Sequence, residues 1–285
     1  MVYGVARKAG VSAAVSVAAS AWPVYDSDWS VIVPFYNERE FLRATIASLA
    51  AQTVRPLLIL VDNASTDRSA EIAREACAEL GLEAIHLHES RPGKVAALQC
   101  GLRAVNTRYV ATCDADTIYP PRYLEIAGGL LGKDGAAAAI AANCAVDASP
   151  SAARAAGWRM ELTGAVLRQQ CLNGGASQVF RTTALKACGG FDPAIWNWVL
   201  EDHEIMARVE RHGRILYHRA FVCHPAPRPR GVDCTGWNLA EQLRYHFAGR
   251  AGRLRFFHDY LAPRLRARAL PSEMLRRSEA APSGA

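Results

Sequence analysis

Two carboxylates stand one residue apart in Asp114-Ala115-Asp116, which runs on into Thr117 and Pro120. Such a pair can hold a hard divalent ion, Mg²⁺ or Mn²⁺, together with substrate phosphates, and can also approach a ribose. Alone it says little, because on the order of one such pair arises by chance in a chain of this length. A second acidic pair, Glu201-Asp202, follows a loop containing Trp196, Asn197 and Trp198. Acidic residues favour helix N-termini for capping and dipole reasons. The same pair can equally supply a general base for an acceptor hydroxyl, a role typically worth ~10²–10⁴-fold in rate.

Weaker signals surround these two. Gly189-Gly190-Phe191-Asp192 reads as a turn or as a place where backbone comes close to a ligand. Arg91 and Lys94 flank Gly93, where they can meet a diphosphate or simply be surface charge. His218 and His224 flank a strand. His218 reads as structural, whereas His224 is open between a structural and a ligating role.

The elements that must position these residues are regular in the first half. Val31, Ile32 and Val33 form a continuous apolar run, as in a strand buried on both faces. A helix is expected over 38–52, with Phe41, Leu42, Ile46 and Leu49 at helical spacing. Further expectations are a strand over 57–61 and a helix capped by Ser65 or Thr66 and ended by Gly81. A strand over 83–87, a helix over 93–105 and a strand over 109–113 follow. Alternation of this kind implies right-handed crossovers and a doubly wound, mostly parallel α/β sheet flanked by helices. Ligands bind such sheets at the carboxyl ends of the strands. Tyr36-Asn37-Glu38, Asp62-Asn63 and Asp114-Ala115-Asp116 each follow a strand directly, so the three should converge on one edge. In the second half, strands are expected over 136–142, 177–181 and 214–222, and helices over 152–170 and 202–212.

Composition bounds the alternatives. The chain has 285 residues, 51% apolar and 21% charged, which suits one large soluble domain with an appendage. No apolar run reaches the roughly 20 residues that span a bilayer. The net charge of +6 suits an anionic small substrate, a membrane surface or nucleic acid. No two of the eight cysteines form a Cys-X-X-Cys pair, so buried free thiols in a reducing cytosol are expected. Residues 1–27 read as a leader, residues 28–232 as the catalytic domain and residues 233–285 as a basic helical extension with a polar tail. In that extension arginines interleave with Leu243, Phe247, Phe256, Phe257, Tyr260, Leu261 and Leu265. The pattern fits a helix packed on the core with a solvated basic face, or one lying on an anionic membrane.

The order of motifs resembles the family 2 glycosyltransferases with the GT-A fold. The matching pieces are Val31-Ile32-Val33-Pro34-Phe35-Tyr36-Asn37-Glu38, Val61-Asp62-Asn63-Ala64-Ser65-Thr66-Asp67, Gly93-Lys94, Asp114-Ala115-Asp116, Gly189-Gly190-Phe191-Asp192 and Glu201-Asp202. Each is weak alone; six in this order are specific. The resemblance implies a single nucleotide-sugar-binding domain with a C-terminal helical extension. It implies that Pro34, Tyr36, Glu38, Asp62 and Asn63 contact the nucleoside, that Lys94 lies near the donor, and that Asp114 approaches the ribose or sugar. Asp116 would ligate Mn²⁺ or Mg²⁺, with His224 as a second candidate ligand. Asp202 would be the catalytic base with Glu201 beside it, and Gly190 and Trp198 would border the acceptor. Asn63 stands where the family often has an acid that reads a pyrimidine edge, and Asn keeps both donor and acceptor capacity. Glu241-Gln242-Leu243-Arg244-Tyr245 is only similar to the Gln-Gln-X-Arg-Trp of processive members, so a polymer synthase is not implied.

The expected reaction is displacement at the anomeric carbon with inversion, from a nucleoside-diphosphate sugar to a sugar or lipid-linked acceptor. It would serve cell-surface polysaccharide or glycolipid assembly in the cytoplasm, with possible contact at the inner face of the membrane. Two alternatives remain at this point. A sugar nucleotidyltransferase would carry a Gly-rich basic loop where Tyr36-Asn37-Glu38 stands. A catalytically inactive nucleotide-binding scaffold would not need Asp116 and Asp202. A nucleic-acid partner is not expected, because no stacking motif or groove-reading helix stands out.

Overall fold

The computed structural model describes residues 26–167, 170–227 and 236–273. The expected leader therefore lies outside the described residues except at its last two positions, as do Cys234 and the polar tail. The first half runs β1 (Trp29–Phe35), α1 (Leu42–Ala50), β2 (Leu57–Asp62), α2 (Ser69–Glu79), β3 (Ala84–His88), α3 (Lys94–Arg103) and β4 (Tyr109–Thr112). Then come β5 (Thr117–Ile118), α4 (Tyr123–Leu131), β6 (Ala136–Ile140), β7 (Ala142–Asn143), α5 (Pro150–Val166), β8 (Gln178–Arg181), α6 (Thr182–Ala187) and α7 (Glu201–Val209). The chain continues through β9 (Arg214–Leu216), β10 (Val222–Pro225), α8 (Leu239–Phe247), α9 (Gly249–Arg255), a π-helical stretch (Phe256–Leu261) and α10 (Ala262–Ala267).

Seven strands form the main sheet in the order β3-β2-β1-β4-β8-β6-β9, and β5-β10-β7 form a small second sheet. The sheet is the expected α/β, mostly parallel one, with helices on both faces. Strand parity explains the two layers of core. Val31, Val33 and Phe35 pack with Leu42, Ile46 and Leu49 of α1. Ile32, pointing the other way, packs with Val95, Leu98 and Leu102 of α3. Gly101 lets α3 close on β1, because a Cβ there would sit 2.5 Å from Ile32 Cγ2.

Several local expectations are corrected. Neither Ser65 nor Thr66 caps α2, which starts at Ser69; both are engaged with the loop after β1 instead. Asp67 Oδ1 accepts the Ser69 backbone N–H at 2.9 Å and its hydroxyl at 2.6 Å. β8 is antiparallel to both β4 and β6, since the chain enters it from the site edge at Gly174-Gly175 and must run back across the sheet. The strand expected over 214–222 is broken into β9 and β10. α5 causes the break by close approach: a Cβ on Gly157 would lie 1.9 Å from the Arg219 carbonyl oxygen, and one on Gly164 would lie 2.4 Å from Tyr217 Cδ2.

The C-terminal helices pack on the domain. Tyr245, Phe256, Phe257, Leu261 and Leu265 are buried with Trp196 and Ala207. An ion pair and a histidine contact inside this layer hold it to α7 and its C-terminal end: Arg253 Nη2 meets Glu210 Oε2 at 2.7 Å, and His258 Nε2 lies 3.0 Å from Glu204 Oε1. The packed-helix alternative for the basic extension therefore holds for these aromatics. No described helix is long and apolar enough to cross a membrane. The seven described cysteines are free, and burial raises their thiol pKa values in the interior, as at Cys113 and Cys223.

Candidate active site

The loops after β1 and β2 are stapled together by Asn37, a residue to which the motif reading assigned no role. Asn37 adopts φ 55°, and its Oδ1 accepts the Thr66 N–H at 2.8 Å. Its own backbone N–H donates to Ser65 Oγ, and the N–H of Glu38 donates to Ser69 Oγ at 2.8 Å. Pro34 pairs in register with Val61 on β2, which sets Tyr36, Glu38 and Asp62 on one edge. Asp62 accepts the Ser65 N–H through Oδ1 at 2.9 Å, and its Oδ2 lies 3.2 Å from His88 Nδ1.

Asn63 is turned inward. Its Nδ2 donates to the carbonyls of Glu89 and Arg91, its Oδ1 accepts the Gly93 N–H at 3.0 Å, and it is only 4% exposed. These bonds make Asn63 a brace for the 89–93 loop, in contrast to the base-edge contact expected of it. Arg91 is held in a two-pronged pair with Glu89.

Bracing that loop sets Gly93 and the first residue of α3. Lys94 reaches from there into a cleft also lined by Gly175, Gln178, Phe191, Glu201 and Asp202. Its Nζ lies 2.6 Å from Asp114 Oδ1 and 3.7 Å from Glu201 Oε1. Burial opposes the Lys94 charge, but Asp114 and Glu201 outweigh it and hold the ammonium above the usual lysine range. Glu201 is pushed up by burial and by the neighbouring Asp202 charge, against the pull of Lys94. Asp202 moves the other way: burial is outweighed by His203 and Lys94, so it stays ionised. Two adjacent carboxyls with opposite shifts are a common mark of chemistry.

Asp202 is the most tightly held group in the cleft. Its Oδ1 accepts the His203 backbone N–H at 2.7 Å and faces His203 Nδ1 at 2.8 Å. Its Oδ2 accepts the Gly175 N–H at 2.6 Å. A Cβ on Gly174 would lie 1.8 Å from that same oxygen. His203, Gly174 and Gly175 were missed in the sequence; the only signal was a Gly-Gly step before a strand. Tyr119 was missed as well. Its buried hydroxyl accepts the Asp114 N–H at 2.9 Å and donates to the Ala176 carbonyl at 3.0 Å, tying the two edges of the cleft.

The small sheet puts Asp116 and His224 on neighbouring segments. β10 runs antiparallel to β5, with His224 opposite Ile118, and the Ala226 N–H donates to the Asp116 carbonyl at 2.8 Å. His224 Nδ1 lies 3.3 Å from the Ala145 carbonyl oxygen. Among the described residues no cluster of three or more His, Cys, Asp or Glu is poised for a metal. Gly190 and Trp198 do not line the cleft around Lys94. The Gly190 carbonyl accepts Arg208 Nη1 at 2.7 Å, and a Cβ there would press on Leu102, so it is Phe191 that reaches the cleft. Trp198 bridges to Pro271 and packs with the C-terminal aromatic layer. His218 is structural, its Nδ1 accepting the Ala220 N–H at 3.2 Å.

Residues 30–185, more than half of the chain, match the family described as Glycosyl transferase family 2. The chain belongs to that family. This family 2 chain is 37% identical over 97 residues to the undecaprenyl-phosphate 4-deoxy-4-formamido-L-arabinose transferase of Edwardsiella ictaluri, a match covering 32% of this chain and 30% of that one. It thus spans about a third of that relative's length. Among solved structures it is similar to the mannosyltransferase PcManGT of Pyrobaculum calidifontis in complex with GDP-Man and Mn²⁺, with TM-score 0.66 and 20% identity over 90% of this chain and 76% of that one. It is also similar to S. aureus TarS 1-349 in complex with UDP-GlcNAc, with TM-score 0.55 and 16% identity over 82% and 71%. At these identities the two structures establish the shared GT-A fold of the family 2 chain.

Proposed function

We propose that this family 2 chain transfers a sugar from a nucleoside-diphosphate donor to an acceptor hydroxyl with inversion at the anomeric carbon. The observation that carries this reading is the grip on Asp202, an ionised carboxylate fixed by His203 and Gly175 beside Lys94 and Asp114. Asp202 takes the proton of the acceptor hydroxyl while that oxygen bonds to the anomeric carbon and the bond to the diphosphate breaks. Pro34, Tyr36, Glu38 and Asp62 form the nucleoside edge, with Asn63 shaping it from behind. Lys94 puts a fixed positive charge near the donor, and Asp114 faces the ribose or sugar. Glu201 flanks the acceptor side.

Asp116 and His224 would hold a divalent cation. The Asp116 carboxylate is a hard oxygen donor that suits Mn²⁺ or Mg²⁺, whereas the His224 imidazole two residues along the facing strand would favour Mn²⁺ over Mg²⁺; substrate phosphates and water would supply further ligands. When bound, such an ion supplies charge neutralisation for the departing diphosphate. The name of the Edwardsiella relative supports a lipid-linked acceptor and a role in polysaccharide or glycolipid assembly at the membrane. The family match supports a transferase over the nucleotidyltransferase and scaffold alternatives.

The test is a set of thermal melts with UDP, dTDP, GDP, CDP and ADP, with and without Mn²⁺. A ligand at ~100 times its Kd adds ~2.7 kcal/mol to stability. One nucleotide should stabilise in a metal-dependent way, and Asp116→Asn should abolish the gain. If no nucleotide moves the melt under either condition, the donor-site assignment fails.

A further inference from the structure

Of the nine large apolar side chains exposed among the described residues, six are on two helices, so exposure is concentrated there. They are Trp158, Leu162 and Val166 on α5 and Leu239, Leu243 and Phe247 on α8. Each trio repeats every fourth residue and so forms a stripe along one side of its helix. The opposite sides are already committed: Gly157, Met160 and Gly164 of α5 and Glu241 and Tyr245 of α8 are buried. The helices are tied near their C-terminal ends. Gln170 Nε2 donates to the His246 carbonyl at 3.0 Å, and His246 Nδ1 lies 2.6 Å from Gln170 Oε1. Val166 precedes that junction by four residues in the chain and Phe247 follows it directly; these two, at 81% and 85%, are the most exposed of the nine.

The exposed charges on these helices and on α9 have one sign. The exposed charged residues of α5, α8 and α9 are Arg154, Arg159, Arg244, Arg250 and Arg255. Of the two acids on these helices, Glu161 is half-buried and accepts the Arg219 backbone N–H at 2.8 Å, and Glu241 is buried against Arg268. Arg219 itself lies over the Trp158 ring at 4.2 Å. A second copy meeting this face about a two-fold axis would set arginines against arginines. An anionic bilayer answers both features at once, since apolar side chains enter the acyl boundary while arginines reach lipid phosphates.

We propose that the α5–α8 face docks on an anionic lipid bilayer. The docking is independent of the transferase reading. Its consequence for catalysis rests on that reading: Tyr245 of α8 accepts the Cys171 N–H at 2.9 Å, just before the Gly174-Gly175 step that holds Asp202, so a docked face sets the acceptor side of the cleft near the membrane.

The experiment is flotation of the purified full chain with phosphatidylcholine vesicles, with and without phosphatidylglycerol, in the absence of nucleotide. The chain should float with the anionic vesicles. Val166→Ser with Phe247→Ser should weaken binding by about tenfold per side chain, and Arg154→Gln with Arg159→Gln should cut the preference for phosphatidylglycerol by about fivefold per arginine. Both pairs of sites are exposed, and an unchanged melt for each variant verifies that it folds. Absence of flotation by the parent chain, or undiminished flotation of the Val166→Ser, Phe247→Ser variant, overturns the proposal. So does light scattering that shows a dimer which those same substitutions dissociate. Because no nucleotide is present, failure here leaves the donor-site melts unaffected.

Discussion

His203 Nδ1 stands 2.8 Å from Asp202 Oδ1, and the His203 backbone N–H donates to the same oxygen at 2.7 Å. One residue thus holds its chain neighbour twice. The imidazole is fixed in turn by ring contacts, with Trp237 at 4.9 Å and Tyr245 at 6.0 Å between centroids. His203 is therefore a positioning residue for the proposed base. His203→Ala should lower kcat by about tenfold, a part of the ~10²–10⁴ that a positioned base contributes, and leave the donor KM unchanged. Asp202→Asn should cost the full factor while nucleotide still stabilises the fold. Equal losses in kcat and donor binding for His203→Ala would point to a general structural defect instead.

The other oxygen of Asp202 is guarded by glycine. A methyl group on Gly174 cannot share space with an oxygen 1.8 Å away, and the Gly175 N–H bond to that oxygen must break if Asp202 swings aside. Gly174→Ala should cut transfer by about 10² or more. Single-turnover rates on prebound donor measure it directly, and a Gly174→Ala protein with parental turnover would remove Gly174 from the account.

The pH dependence of stability has a definite sign at Glu201. Burial first, then the Asp202 charge, pushes this carboxyl up to about 7 from an ordinary value of 4.5, against Lys94. Between those two values the folded chain binds a proton that the unfolded chain has released, so Glu201 removes stability as pH rises across that window. Glu201→Gln should hold its melting temperature better than the parent between about pH 5 and about pH 8. Parallel melting curves for the two proteins across this range would contradict the assignment.

The C-terminal layer is held by a buried charge pair. Arg253 and Glu210 have side chains 3% and 0% exposed and share two hydrogen bonds, while Arg250 adds a bond to the Glu210 carbonyl. Removing one member leaves a buried charge without its partner, which costs about 3–5 kcal/mol. Urea denaturation of Glu210→Ala should show a loss of that order. A loss under about 1 kcal/mol would mean that water reaches Arg253 easily.

Much of the first half was legible in the sequence because it follows local rules. The apolar runs of β1, β2 and β4 are buried on both faces and announce themselves without long-range information. The polar residues directly after them fall at the carboxyl edge by topology alone. The order of six motifs then sufficed for the family. The N-terminus of α2 misled because Ser65 and Thr66 look like caps, yet the loop after β1 competes for both through Asn37.

What the sequence by itself determined is therefore the alternating α/β order, the edge to which Tyr36-Asn37-Glu38, Asp62-Asn63 and Asp114-Ala115-Asp116 belong, and the acidic pairs proposed to carry chemistry. Only the tertiary structure decided which way β8 runs, that Asn63 faces inward, and that Trp198 joins the C-terminal layer while Phe191 reaches the cleft. It also decided that Asp202 is held by Gly175, 27 residues upstream. The physical reason is range. Burial and strand or helix period act between near neighbours and leave a periodic trace, whereas a hydrogen bond between distant segments depends on where packing brings them and leaves no trace in spacing.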